Sequence, residues 1–241
     1  MIGITECGDA GLDFSWVKQV PLTDFSVLIT KNPNNRFIDE VLKVKDKVIV
    51  HATITGMGGT VVEPHVPPAY ITLGQLSVLI NKGFPKEQIV LRIDPIIPTE
   101  KGIRTALQVL DSARSLGIKR CRISILDMYK HVEARFRNAG ITPPVYDLKQ
   151  AYKDVLTALQ PYMNHWEFEA CAEGFPFKCG CISQKDADIL NSSVVLMGNK
   201  GQRSGCLCPR NKSELLSCKS QCAHGCLYCY WSKDYTKGNE E

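Results

Sequence analysis

The segment Cys222-Ala223-His224-Gly225-Cys226-Leu227-Tyr228-Cys229 places three thiols within eight residues, in the spacing Cys-x3-Cys-x2-Cys. Thiolate is a soft ligand that suits iron, and short gaps between cysteines let one stretch of chain wrap an iron–sulfur cluster. Three thiolates hold three corners of a cubane. If only these three bind, the fourth iron is open to a small chelating ligand. Gly225 would let the backbone turn tightly between ligands. Zinc is the competing reading, because Cys206-x-Cys208 and Cys226-x2-Cys229 offer four thiols in two pairs. A zinc ribbon gives no reason for the three-then-two spacing.

The chain has 11 cysteines in 241 residues. The N-terminal stretch lacks the basic start and apolar run of a secretory signal, which makes the cytoplasm the expected location. Thiols are kept reduced there, and an odd count also argues against a disulfide scaffold. Metal binding becomes the leading use of the cysteines. Cys171, Cys179, Cys181, Cys206 and Cys208 form a second set, four of which would complete a second cluster with no open iron. Cys121 lies within a predicted strand and reads as a small buried residue. Cys7, at the end of another, is a candidate hydrogen-atom donor. The histidines, His224 included, show no metal-ligand spacing. No Gly-x-Ser-x-Gly or His-Glu-x-x-His motif supports a hydrolase.

Short β-branched runs predict strands at 2–6, 26–30, 48–53, 89–94, 121–126, 165–171 and 194–197. Apolar periodicity predicts helices over 73–82, 101–116 (closed by Gly117) and 147–159 (after Pro143-Pro144). Such alternation implies parallel strands with helical crossovers. An open doubly wound sheet and a barrel both fit. The number of units favours an α/β fold that is a full or partial (β/α) TIM-type barrel over residues 1–198. In that architecture the chemistry sits at the carboxyl ends of the strands. Glu6 and Asp9, then Thr53, Thr55 and Gly56, then Arg92 and Asp94, then Ser124 and Asp127, then Glu169 and Glu173 fall at such ends. Arg92 and Asp94 alternate on one strand and so share a face. There they form a structural ion pair or grip a ligand. Gly56-Met57-Gly58-Gly59 lacks the Gly-Lys-Ser/Thr ending of a nucleotide-phosphate loop.

Residues 199–241 are rich in Cys, Lys, Ser and Gly and poor in aliphatic periodicity, so they cannot pack a core of their own. They read as a cluster-binding tail laid over the barrel mouth, frayed at 237–241. Hydrophobic residues make up 44% and charged residues 22%, as in an ordinary soluble domain. The net charge of +4 permits an anionic substrate without requiring one. No apolar run approaches the ~18 residues that span a bilayer, so no membrane partner is expected.

Cys-x3-Cys-x2-Cys followed by an aromatic resembles the hallmark of the radical S-adenosylmethionine superfamily. The fuller string Cys-x-His-Gly-Cys-x-Tyr-Cys-Tyr looks like the branch related to spore photoproduct lyase. The chain also resembles an uncharacterised bacterial family, labelled a domain of unknown function, whose cysteine motif is C-terminal. The matching stretches are Thr30-Lys31-Asn32-Pro33, Thr53-Ile54-Thr55-Gly56, Glu63 with Pro67, Arg92-Ile93-Asp94-Pro95-Ile96, Ser124 through Lys130, Gln202-Arg203 and Cys206-Leu207-Cys208.

In the wider superfamily the motif typically follows the first strand; here it comes last, as if the barrel were circularly rearranged. The resemblance implies a [4Fe–4S] cluster on Cys222, Cys226 and Cys229 that binds S-adenosylmethionine. It implies a 5′-deoxyadenosyl radical that takes hydrogen from a substrate, and an external electron donor such as flavodoxin or ferredoxin. It further implies a second [4Fe–4S] cluster on Cys171, Cys181, Cys206 and Cys208, with Cys179 and Cys218 as alternates. Thr55 would hold the amino group of S-adenosylmethionine and Tyr228 would lie against its adenine. Thr53, Gly56, Arg92, Asp94 and Ser124 complete the expected cofactor-binding set. A modified or damaged base in nucleic acid is the first substrate class implied, ahead of a peptide side chain or a small metabolite.

Overall fold

The computed structural model describes residues 1–198, 205–217 and 222–231. Seven strands form one parallel sheet: β1 (Ile2–Ile4), β2 (Phe25–Thr30), β3 (Val48–Thr53), β4 (Ile89–Ile96), β5 (Arg120–Ile125), β6 (Glu167–Glu169) and β7 (Lys212–Glu214). Their order is β6-β5-β4-β3-β2-β1-β7. The first six lie in chain order, and the last adds beside the first. The helices are α1 (Asn35–Lys43), α2 (Ala69–Asn81), α3 (Glu100–Ala113), α4 (Lys130–Asn138), α5 (Leu148–Leu159) and α6 (Gln184–Ile189).

Local chemistry sets the helix ends. The side chains of Asn34, Thr99 and Asp147 accept from the backbone N–H of Phe37, Gly102 and Gln150, capping α1, α3 and α5. Gly117, at φ +71°, closes the turn after α3 in the left-handed conformation expected of it.

The strands alternate between two apolar faces. Leu28, Val50, Ala52, Leu91, Ile123 and Phe168 pack on α1, α2, α3 and α5, and Cys121 is fully buried in this layer as expected. Ile2, Ile4, Phe25, Val27, Ile49 and Val90 face the other way, against Ile182 and Ala187. Towards β6 this second face turns polar. His51, Thr53, Arg92, Asp94, Arg120, Arg122, Ser124 and Glu169 sit at its alternating positions.

Two sequence expectations are corrected. Segment 194–197 forms no strand. Val194 and Leu196 turn onto the apolar face while Val195 and Met197 are exposed, so the period-2 pattern belongs to an extended chain lying on the sheet. Asn211 ties it down, donating to the Val195 carbonyl at 3.0 Å and accepting from Met197 N–H at 3.2 Å. Secondly, the C-terminal segment supplies β7 itself. Lys212-Ser213-Glu214 pairs in register with Ile2-Gly3-Ile4, although its residues are polar. Glu214 accepts from the N–H of Glu6 and Cys7 at 2.9 Å each, and Leu215 and Leu216 are buried behind it. Among the described residues, no helix is long and apolar enough to cross a membrane.

Candidate metal and cofactor centre

The loop 222–231 docks on the carboxyl ends of β1, β2 and β3. Three side-chain clusters hold it, and none uses a thiol. The first centres on Asp9, 3% exposed. Its carboxylate accepts from Gly11 N–H (2.7 Å), Thr30 Oγ1 (2.6 Å), Lys31 N–H (2.6 Å) and His224 Nε2 (2.7 Å). His224 Nδ1 reaches the His65 carbonyl at 3.1 Å. Both partners are acceptors, so the ring is held as imidazolium. Burial alone would lower its pKa, but the Asp9 carboxylate raises it.

The second cluster is Glu63 with Lys31, Tyr228 and Thr55. Glu63 accepts from Lys31 Nζ at 2.8 Å, from Thr55 Oγ1 at 2.7 Å and from the Tyr228 hydroxyl. Lys31 also donates to the Tyr228 hydroxyl at 2.7 Å. Burial pushes the Glu63 carboxyl up; the Lys31 charge and the hydrogen bonds outweigh that and hold it below the usual range. Third, Arg135 of α4 donates to the carbonyls of Leu227 and Cys229 at 3.0 and 2.7 Å. Leu227 and Tyr228 pack there on Leu126, Val132 and Phe136.

Cys222, Cys226 and Cys229 are carried on this fixed loop as free thiols. Burial pushes the Cys222 thiol up to about 11 and the Cys226 thiol up to about 12. A bound metal cation would favour the thiolate form of both. Three soft donors on a pre-anchored loop fit a thiolate-bound metal centre.

The expected cofactor-binding residues are not all in one place. Thr55 is 4% exposed, and its hydroxyl also accepts from Met57 N–H at 3.2 Å. It supports Glu63. Gly56 is turned towards α3: a Cβ there would stand 2.4 Å from Thr105 Cγ2. Its glycine serves helix–strand packing. Arg92 and Ser124 both pair with Asp94. That group lies near enough to Lys31, Tyr228 and Tyr230 for the Asp94 charge to act on all three. Thr53 is buried beside Arg92 in the sheet. Cys7 is 7% exposed and its N–H is bonded to Glu214.

The second cysteine set converges elsewhere. The sulfurs of Cys171, Cys181 and Cys208 all lie within 4.8 Å of one another. Cys171 and Cys208 are 4.0 Å apart, and Cys181 N–H donates to Cys208 Sγ at 3.1 Å. Hydrogen bonds with Cys171 and Cys181, and then burial, push Cys208 up, while hydrogen bonds with Cys171 and Cys208 hold Cys181 well below the usual thiol range. Cys206 is buried, and its charge acts on Cys171. Cys179 turns away, with Arg122 Nη2 3.6 Å from its sulfur. Cys218, Gln202, Arg203 and the end at 237–241 lie outside the described residues.

Sequence reasoning placed Asp9 at a strand end and Lys31 and Glu63 in matching stretches, but missed their role as anchors. Asp9, Lys31, Glu63, Arg135 and His224 position the loop, and their joint role appears only when residues far apart in the chain meet. A comparison with curated proteins finds no match. Residues 14–231 match the family described as a domain of unknown function (DUF1848), and the chain belongs to that family.

Proposed function

We propose that the chain is a radical S-adenosylmethionine enzyme on a partial (β/α) barrel. Cys222, Cys226 and Cys229 would hold a [4Fe–4S] cluster to which S-adenosylmethionine would bind. The observation that carries this reading is the docking of the three-thiol loop at the carboxyl ends of the parallel strands, by contacts that leave the sulfurs for metal. Helices α1, α2, α3 and α5 on one face and consecutive strand order support the barrel rather than a doubly wound sheet.

Such a cluster would supply one electron to S-adenosylmethionine, which would split into methionine and a hydrogen-abstracting 5′-deoxyadenosyl radical. The chain's own residues fix the geometry. Asp9 and His224 hold the loop to β1 and β2. Glu63 and Lys31 set the Tyr228 ring, the surface offered to the adenine. Asp94, oriented by Arg92 and Ser124, offers a carboxylate on the same side. An external donor such as flavodoxin or ferredoxin provides the electron. A modified or damaged nucleic-acid base is the substrate class this reading favours, ahead of a peptide or small metabolite.

The test is anaerobic reconstitution with iron and sulfide, followed by incubation with reductant and S-adenosylmethionine. The reading expects cubane iron and sulfide and release of 5′-deoxyadenosine, both lost in Cys226→Ala while the fold persists. Cubane without 5′-deoxyadenosine would leave an electron carrier. Zinc in place of iron would leave a non-catalytic structural site.

A further inference from the structure

We propose that Cys171, Cys181, Cys206 and Cys208 bind one tetrahedral thiolate-coordinated ion, zinc by chemistry, and that this ion staples together the two open edges of the sheet. The site is separate from the Cys222–Cys229 loop, and the inference does not depend on the activity proposed for that loop.

The spacing of the sulfurs carries the argument. A tetrahedral ion with metal–sulfur bonds of about 2.3 Å sets its sulfurs about 3.8 Å apart. Cys171 and Cys208 stand at 4.0 Å, and the three sulfurs share one envelope of 4.8 Å. In a cubane each thiolate sits on a different iron, and the metal core between them spreads the sulfurs well beyond that. Cys206 lies outside that envelope; buried and two residues before Cys208, it is the residue placed to turn in as the fourth ligand. Cys179 is excluded by its turn towards Arg122.

The surroundings match a buried anionic centre. Four thiolates on a divalent ion carry two negative charges, which demand hydrogen bonds and counter-charges when buried. The Cys181 N–H points at Cys208 Sγ. Arg122, 2% exposed, donates to the Cys181 carbonyl at 2.8 Å. The charges of Cys181 and Cys208 also act on Lys212, and that of Cys181 on Arg92. Binding releases the thiol protons to solvent.

Topology supplies the purpose. β6 and β7 are the edges of the sheet and, among the described residues, do not pair with each other. Cys171 lies two residues beyond the end of β6, and Cys208 four residues before the start of β7. One ion thus joins the chain just after β6 to the chain just before β7, two strands that share no ladder, and β7 leads into the segment carrying Cys222.

The test uses the full chain with Cys222, Cys226 and Cys229 all replaced by Ala, so that only the second site remains. Cobalt(II) is titrated anaerobically as the probe. The expected result is one cobalt per chain, with thiolate-to-cobalt charge transfer and tetrahedral ligand-field bands. Adding Cys171→Ser and Cys208→Ser abolishes those bands. Cys206→Ser alters them, and Cys179→Ser leaves them unchanged. X-ray absorption of the zinc-loaded protein shows one sulfur shell at about 2.3 Å with no metal–metal scattering. Zinc raises the melting temperature of the triple-Ala protein. That readout holds even if the serine variants fold poorly. Absence of cobalt binding, or iron reconstitution of the same protein yielding a metal–metal vector, would overturn the proposal. Loss of the spectrum in Cys179→Ser would overturn the ligand set.

Discussion

Glu63→Ala is the most informative single substitution. The Glu63 side chain is 1% exposed and its Lys31 partner 15% exposed, so the pair is shielded from water. Removing the carboxylate leaves the Lys31 ammonium buried without its counter-charge, a loss of about 3–5 kcal/mol. The Thr55 and Tyr228 hydroxyls lose an acceptor too, worth about 1–3 kcal/mol for each group left unsatisfied. These costs overlap, because water entering the gap re-solvates all three groups. A loss of about 4 kcal/mol is expected, a large share of the ~5–15 kcal/mol of a typical domain. The assay is urea unfolding followed by circular dichroism, with the reaction rate of Cys226 towards a thiol reagent as a local probe. The variant unfolds at lower urea, and Cys226 reacts faster. Lys31→Met/Glu63→Met costs less than Glu63→Ala alone, since no buried charge is stranded. A Glu63→Ala protein within about 1 kcal/mol of the parent, with Cys226 equally protected, would refute the anchoring role.

Further expectations rest on other contacts. A carboxyl held below its unfolded value adds stability that is complete above about pH 4.5 and is lost as pH falls through its folded value. The difference in unfolding free energy between parent and Glu63→Gln therefore shrinks with acid below pH 4.5; a constant difference would contradict it. Asp9→Ala removes an acceptor of four hydrogen bonds beside the His224 imidazolium and costs about 3–5 kcal/mol, measured by thermal unfolding. Gly58→Ala forces a Cβ to within 2.1 Å of the Pro67 carbonyl and destabilises by about 1–3 kcal/mol. Gly74→Ala, on the exposed side of α2 with nothing within 4 Å, stabilises by about 0.5–1 kcal/mol.

The core strands were legible because β1 to β5 are β-branched runs between turn signals. Leu28, Val50 and Ile93 alternate with Val27, Ile49 and Arg92 as a sheet with two different faces requires. The same logic misled at 194–197. An extended segment lying on an apolar surface needs Val194 and Leu196 inward just as a strand does. It differs only in lacking a ladder partner, which local sequence does not encode. β7 was illegible for the opposite reason. Lys212, Ser213 and Glu214 carry no strand signal, and the pairing is held by Glu214 capping N–H groups more than 200 residues away. The three-thiol motif announced itself by spacing. Asp94 and Arg92 were correctly placed on one face by their alternation. Gly56 followed a strand and looked available, yet its missing Cβ answers to Thr105 on α3. Asp9, Lys31, Glu63 and His224 come from four separate segments. Nothing in any one segment marks them as partners.

The central claim is that the Cys222–Cys229 loop carries a cubane with one iron open to S-adenosylmethionine. Low-temperature electron paramagnetic resonance of the reconstituted, reduced protein addresses it directly, with spectra taken before and after S-adenosylmethionine is added. The account predicts a cubane signal, absent in Cys226→Ala, that shifts when S-adenosylmethionine binds. A cubane signal indifferent to S-adenosylmethionine, or no iron signal with zinc bound at these cysteines, would contradict it.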